Sequence, residues 1–192
     1  MSFSPFTTAS GFLLPSLHSA PPFFTQQPHP DTNATATEQW SKLILAYGWH
    51  RKLYVLRVED AETADGEWAE VLRNERINRK MPPAYLSSLL AAMVAKNHAV
   101  YEPAGQTRSV VLHWRLPEEW AEVLHTWAIS TGQLNTILTF YEITEPPLPS
   151  PLSGIPTTLL RKAIAVLSKS GRAQLIAVSD GEGVRFFQGA GK

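Results

Sequence analysis

The 192-residue chain contains no cysteine. This absence excludes disulfide bonds, thiolate metal sites and a cysteine nucleophile, and it is consistent with a reducing compartment. The chain also lacks an excess of either charge, since 17 Lys and Arg balance 17 Asp and Glu. Nucleic-acid-binding domains are usually basic because contacts with phosphates supply much of their affinity. The composition therefore argues against a nucleic-acid ligand.

Targeting signals and long apolar runs are missing as well. The first 41 residues carry no Lys or Arg, whereas secretory signals need a basic start and mitochondrial presequences need arginines. No run approaches the roughly 18 apolar residues of a membrane span. We therefore expect a soluble, cytoplasmic protein.

The N-terminal region is rich in proline, with six prolines in the first 30 residues. Because proline cannot continue a helix, this region predicts irregular structure. We expect residues 1–20 to be a disordered extension and residues 21–34 to form an extended arm. The arm carries Pro21-Pro22-Phe23-Phe24, whose two aromatic side chains need burial, either on their own domain or in a partner.

Helical periodicity follows the arm. Thr35 and Glu38 have capping-box spacing, which predicts that the first helix begins there. Three helical patterns and a β-hairpin pattern then occur twice along the chain, and Asp180-Gly181 is typical of the last hairpin turn. This order predicts a mostly α protein with small β-hairpins (α+β), built as two tandem winged-helix domains. The expected bounds are 35–116 and 117–188, with a tail at 189–192.

Catalytic and metal-binding patterns are not found. Glu118 and Glu119 are neighbours on a predicted helix and point about 100° apart, so they are poorly placed to share a substrate. Gly181-Glu182-Gly183 lacks the context of a dinucleotide site and fits a hairpin turn. No two histidines have metal-ligand spacing, and we expect all of them at surface or boundary positions. They are His18, His29, His50, His98, His113 and His125. The sequence thus indicates no enzyme, no metal and no cofactor.

Two proline motifs resemble linear ligands. Pro82-Pro83-Ala84-Tyr85 precedes an amphipathic pattern, which favours a helix start over a ligand. Pro146 to Pro151 is a possible polyproline II ligand, although a stiff connection between helices is the favoured interpretation.

Several segments together carry a family resemblance that extends from about Pro21 to Phe187. The chain resembles the small winged-helix subunits of the ESCRT-II complex. The matching segments are Pro21–Pro28, Asn78–Met81, Trp114–Trp120, Gly132–Asn135, Thr139–Glu142 and Ser179–Phe187.

The resemblance implies an assembly role. In the family, two copies of the small subunit bind one copy each of vacuolar sorting subunits 22 and 36. It implies that Pro21, Pro22, Phe23 and Phe24 fill hydrophobic pockets on those partners and that Arg79 pairs with a partner carboxylate. It further implies that the second winged helix recruits the ESCRT-III subunit vacuolar sorting protein 20 to endosomal membranes during multivesicular body sorting, through residues that the resemblance does not assign.

Two alternatives remain open at this point. One is a winged-helix DNA-binding protein, although the predicted third helices offer few basic residues for a major groove: Lys96 in the first half, and Arg161, Lys162 and Lys169 in the second. The other is a stand-alone scaffold that presents proline motifs.

Overall fold

A computed structural model of the protein describes residues 4–178 and 181–189. Its contacts divide the chain between Trp114 and Arg115 into two compact units, and each unit has its own hydrophobic core.

The N-terminal segment is folded onto the first unit. Strand β1 (Phe6–Thr7) pairs antiparallel with β2 (Leu13–Leu14), and we call this element the N-terminal hairpin. Two 3-10 turns follow, at Ser16–Ser19 and at Pro21–Phe24. The prediction of a disordered 1–20 is therefore wrong for the described residues, from position 4 onward. The prediction of an extended 21–34 is wrong as well.

Long-range contacts hold the N-terminal segment on the first unit. The Ser10 hydroxyl and backbone N–H donate to the Glu70 carboxylate at 2.5 and 3.1 Å. The Tyr47 hydroxyl donates to the same carboxylate at 3.0 Å, and burial together with this hydrogen bond raises the pKa of Tyr47 to about 12. Phe12 packs edge-on against the Tyr47 ring. Local composition does not reveal such contacts because their partners lie far along the chain.

The first helix, α1 (Pro30–Arg51), begins five residues before the predicted Thr35. Proline is well tolerated at the first helical position, and Asp31 lies favourably in the first turn. The Thr35 hydroxyl donates to the Asp31 carbonyl within the helix, so Thr35 does not cap it. The helix ends at Arg51, and Lys52 after it adopts the left-handed conformation.

The first unit has the winged-helix order of elements. The elements after α1 are β3 (Val55–Arg57), α2 (Ala69–Leu72), β4 (Arg73–Asn74), β5 (Arg79–Lys80), α3 (Pro83–Ala95), β6 (Ala99–Tyr101) and β7 (Ser109–Leu112). A three-stranded antiparallel sheet in the order β3-β7-β6 closes against the helices, and a small hairpin, β4–β5, precedes the third helix.

The second unit repeats this order without the extra hairpin. Its elements are α4 (Pro117–Ser130), β8 (Ile137–Thr139), α5 (Phe140–Thr144), α6 (Thr157–Lys169), β9 (Ala173–Val178) and β10 (Gly181–Phe186). The sheet order is β8-β10-β9, so the first strand again pairs with the last. The fold class predicted from the sequence, two tandem winged helices, is confirmed. In the predicted turn, Asp180 lies outside the described residues.

Each core is built around a tryptophan of the first helix. Trp40 in α1 and Trp120 in α4 are both fully buried. Tyr85 is also buried at the start of α3, which confirms a helix start rather than an exposed ligand at Pro82-Pro83. Within the described part of the chain, no helix combines the length and apolar character that crossing a bilayer requires.

The N-terminal hairpin yields a matched pair of stability predictions. Leu14 is 4% exposed and its neighbour Leu13 is 62% exposed. We expect Leu14→Ala to lower the free energy of unfolding by about 2–5 kcal/mol because it leaves a cavity. Leu13→Ala should change it by less than about 0.5 kcal/mol. Urea denaturation measures both, and equal small effects would mean that the hairpin does not pack on the first unit.

Candidate docking site

The Pro21–Phe24 turn is a compact, hydrogen-bonded element. The Phe23 N–H donates to the Ala20 carbonyl at 3.0 Å, and the Thr25 N–H donates to the Pro22 carbonyl at 3.1 Å. The Gln27 side-chain amide donates to the carbonyls of Pro22 and Thr25, both at 2.8 Å. Because each proline restricts its own φ to about −65°, little backbone freedom remains in this turn.

The two phenylalanines of the turn are bound within their own domain. Phe23 stacks on Trp40 with ring centroids 4.2 Å apart and planes 3° apart, and Phe24 meets the same indole edge-on at 5.4 Å. The Trp40 Nε1–H donates to the Phe23 carbonyl at 2.8 Å. Phe23 and Phe24 are only 4% and 2% exposed. Of the two burial sites that the sequence left open, the structure of the single chain shows the intramolecular one.

His18 lies beneath the turn. The surface or boundary position predicted for every histidine is wrong for His18 and also for His113 and His125, which are buried as well. The His18 side chain is 1% exposed and meets Phe24 edge-on at 5.0 Å. Nε2 donates to the Val71 carbonyl at 2.7 Å, since a carbonyl can only accept. Nδ1 is then left to accept from the Asn74 amide, 3.3 Å away. Burial lowers the pKa of His18, and the hydrogen bond to Val71 opposes this only in part.

Asn74 and Arg79 belong to the β4–β5 hairpin, which contacts the Pro21–Phe24 turn. Asn74 donates to the His18 carbonyl at 2.8 Å and thereby joins the hairpin to the turn. Asn78 takes the left-handed conformation at the hairpin's end, and Arg79 follows it in β5. The structure therefore brings together two predicted site elements that are 55 residues apart in the sequence.

Arg79 itself points its charge toward solvent. Its side chain is exposed, and Nη1 donates to the neighbouring Asn78 carbonyl at 3.1 Å. No ion pair to Arg79 is found among the described residues. A polar recess of about 450 Å³ lies at this hairpin, lined by Arg73, Glu75, Asn78, Arg79 and Lys80. Its three cations and one carboxylate suit an acidic group.

An open groove of about 460 Å³ runs beside the turn along the beginning of α1. Its apolar part comes from Leu17, Pro22 and Phe23, of which Leu17 and Pro22 are exposed. Asp31, Thr32, Thr35, Ala36 and Gln39 line the helical side. The sequence patterns did not reveal Leu17 and this helix face. Asp31, Thr35 and Gln39 are spaced i, i+4, i+8, so they lie on one face of a helix that begins at Pro30. This spacing would have identified the groove's helical side if the helix start had been predicted correctly.

Two other kinds of site have little support in the described residues. Among the described residues, no three His, Asp or Glu side chains gather closely enough to hold a metal ion. The third helix of the first unit, α3, contains no charged residue. In α6, Arg161 is paired with Glu182. These helices therefore give little support to DNA recognition in the major groove.

The fold and the site define a tandem winged-helix protein that carries a proline–aromatic turn beside an exposed groove. The family described as ESCRT-II complex subunit matches residues 17–148. The vacuolar protein-sorting-associated proteins 25 of Danio rerio and Homo sapiens are each 30% identical to the chain, over 92% and 93% of it and 99% of their own lengths. The chain therefore belongs to the ESCRT-II complex subunit family, among the relatives of vacuolar protein-sorting-associated protein 25.

Solved structures agree on the fold. A crystal structure of subunit VPS25 of the endosomal trafficking complex ESCRT-II has a TM-score of 0.73 and 20% identity, covering 90% of this chain and 98% of that one. A chain from a crystal structure of the complex VPS22/VPS25/VPS36 has the same TM-score and identity, covering 93% and 100%.

The burial of Phe24 generates a stability prediction. Phe24→Ala should lower the free energy of unfolding by about 3–5 kcal/mol, because it removes an aromatic side chain from contact with Trp40 and His18. The neighbouring Thr25 is exposed, so Thr25→Ala serves as the control and should change stability little. Both values come from chemical denaturation. A Phe24→Ala protein as stable as wild type would contradict the intramolecular socket.

The burial of His18 predicts a pH dependence of stability. Its folded-state pKa lies below the usual 6.5, so the unfolded chain binds a proton more readily. Stability from this group is therefore full above about pH 6.5 and falls as the pH drops from there toward the folded-state pKa. His18→Gln should flatten this slope in denaturation curves between pH 7 and 5, whereas exposed His29→Gln should leave it. An unchanged slope in His18→Gln would contradict the buried neutral imidazole.

Proposed function

We propose that the chain is a non-catalytic assembly subunit of ESCRT-II that binds the counterparts of VPS22 and VPS36 through its first unit. Membership of the ESCRT-II subunit family supports this proposal, as does the likeness in fold to a chain of the VPS22/VPS25/VPS36 complex. The observation that carries it is the Pro21–Phe24 turn, which is seated on Trp40 beside Arg79 and an exposed groove.

Within this proposal the residues of the turn have different roles. Pro22 is exposed and Pro21 partly so, and with Leu17 they offer apolar surface to a partner. Phe23 and Phe24 anchor the turn from inside, and Phe23 also lines the groove. A turn held in one conformation loses less entropy on binding than a flexible arm, so more of the contact energy appears as affinity.

Arg79 supplies the polar part of the interface. Its guanidinium can donate two parallel hydrogen bonds to a carboxylate of a partner subunit. At an exposed rim such a pair contributes about 1 kcal/mol or less. If the partner covers the recess of the β4–β5 hairpin, truncating one member of the pair costs about 2–5 kcal/mol.

The second unit is proposed to recruit ESCRT-III through vacuolar sorting protein 20, with two copies of the chain in each complex. This places the chain peripherally on endosomal membranes during multivesicular body sorting. The second unit has its own buried core, including Trp120, Ile164 and Phe186, which supports independent folding beside an engaged first unit. No residue of the second unit is assigned to this contact.

Co-expression tests the proposed interface. Pro22→Glu and Arg79→Glu each leave buried residues untouched, so both variants should melt like wild type while co-purifying poorly with the VPS22 and VPS36 counterparts. We expect a loss of affinity of about tenfold or more by calorimetry. Arg57→Glu, at an exposed arginine of β3, is the matched control and should assemble normally. Normal assembly by both site variants would reject the docking surface.

A further inference from the structure

We propose that the N-terminal hairpin extends the docking site of the first unit, with Phe6 and Arg76 at the mouth of a cavity that takes an apolar side chain from an acidic segment of a partner subunit. This inference rests on the proposed function, because the partners are the VPS22 and VPS36 counterparts. The hairpin lies before residues 17–148, the part of the chain that matches the ESCRT-II subunit family. It therefore adds contacts to those of the Pro21–Phe24 turn and Arg79.

The cavity has a volume of about 410 Å³ and lies between the N-terminal hairpin, α2 and the β4–β5 hairpin. Phe6, Leu14, Ala64 and Ala69 form its apolar wall. Phe6 pairs with Leu14 across the hairpin, and directly opposite residues of antiparallel strands project from the same face. Leu14 is 4% exposed, whereas Phe6 is 44% exposed. The wall is thus anchored at Leu14 and reaches solvent at Phe6, where a partner side chain can enter.

The Phe6 ring also holds a charged group at this entrance. The guanidinium carbon of Arg76 is 4.6 Å from the centroid of the ring. Stacking occupies the face of a guanidinium and leaves the N–H donors around its edge available for two parallel hydrogen bonds to a carboxylate. Arg76 is exposed, and no ion pair to it is found among the described residues. Phe6 therefore positions a free donor group beside an apolar cavity.

The charge around the cavity selects an acidic partner. The segment Arg73–Lys80 carries four cations and one carboxylate, that of Glu75, in a chain whose net charge is zero. None of the four cations forms an ion pair within the described part of the chain. The cavity's other carboxylate, Glu70, already accepts hydrogen bonds from Ser10 and Tyr47. The unbalanced positive charge attracts acidic segments and disfavours basic ones.

The cavity is continuous with the proposed docking site. Arg73 and Glu75 line both the cavity and the recess that contains Arg79. An acidic segment whose carboxylate pairs with Arg79 can therefore continue past Arg73 and place an apolar side chain in the cavity. A flat lipid surface meets the same cations but does not enter a recess. The combination of cations with an apolar cavity thus favours a peptide segment over a membrane.

Calorimetric titration of the full chain into the co-purified VPS22 and VPS36 counterparts tests the proposal. Phe6→Ala and Arg76→Ala should each weaken binding about fivefold or more. The double variant should lose less than the two single losses combined, because Phe6 acts partly through Arg76. Phe6→Tyr retains the ring and should bind like wild type, which separates a positioning role of Phe6 from a general effect of substitution.

Filling the cavity provides a second test with a matched control. Ala64 is exposed at the cavity, so Ala64→Trp should block entry of a partner side chain and weaken binding about fivefold or more. Ala104 is an equally exposed alanine in the loop between β6 and β7, and Ala104→Trp should bind normally. Because all these side chains are at least partly exposed, every variant should melt like wild type, and thermal melting verifies this.

The outcomes separate this inference from the proposed function. Wild-type affinity in Phe6→Ala, Arg76→Ala and Ala64→Trp, together with weakened binding by Pro22→Glu and Arg79→Glu, would overturn the cavity and leave the docking site standing. No binding by the wild-type chain would overturn both. Sedimentation with phosphatidylserine vesicles is the third arm. Vesicle binding that Arg76→Ala abolishes, without any effect of Arg76→Ala on the subunits, would assign these cations to a membrane and overturn the peptide partner.

Discussion

The organisation of the first unit depends on the indole of Trp40. Phe23 stacks on the face of this indole, and Phe24 meets the indole edge-on. The indole N–H donates a hydrogen bond to the Phe23 carbonyl. A buried indole N–H needs such an acceptor, so the turn and the helix stabilise each other. The ring of His18 meets the same indole edge-on at 6.1 Å. The Trp40 side chain therefore joins the N-terminal segment to α1. Through His18 and Asn74 it is also connected to the β4–β5 hairpin that carries Arg79.

The equivalent tryptophan of the second unit has different surroundings. Trp120 also lies on the inner face of the first helix, but the Arg115 guanidinium is 4.7 Å from its ring centroid. No proline–aromatic turn packs on it among the described residues. The two winged helices thus share a topology, while the extra N-terminal segment makes the first unit alone suited to the proposed ESCRT-II contact. In the proposed function, such segments rather than the common fold carry the difference between the two units.

Sequence patterns predicted the elements whose information is local. Apolar spacing located α1, α3, α4 and α6, turn residues located the hairpins, and their repeated order predicted two winged helices. The helix predicted over 135–143 is wrong in its first part, which forms strand β8, and the helix predicted over 68–77 is only the four-residue α2. The N-terminal segment was mispredicted because its order depends on distant partners. Ser10 is 60 residues from Glu70 and His18 is 53 residues from Val71. Proline content forbids a helix, but it does not forbid strands or 3-10 turns. Likewise, Pro30 starts α1 because proline suits a first helical position, which outweighed the capping-box signal at Thr35.

The sequence identified residues of the candidate site but did not predict how they are arranged. Pro21 to Phe24 and Arg79 were identified through a family resemblance, which carries no information on whether the aromatic rings face a partner or their own core. That choice depends on what surface lies within reach. Phe23 and Phe24 have Trp40 nearby, and stacking there removes them from water at little cost because the prolines already restrict the backbone. Leu148 lies between prolines too, yet it remains exposed because Leu152 and Ile155 take the inward positions of its loop. The same kind of segment is therefore an internal anchor where an aromatic platform is present and stays exposed where none is.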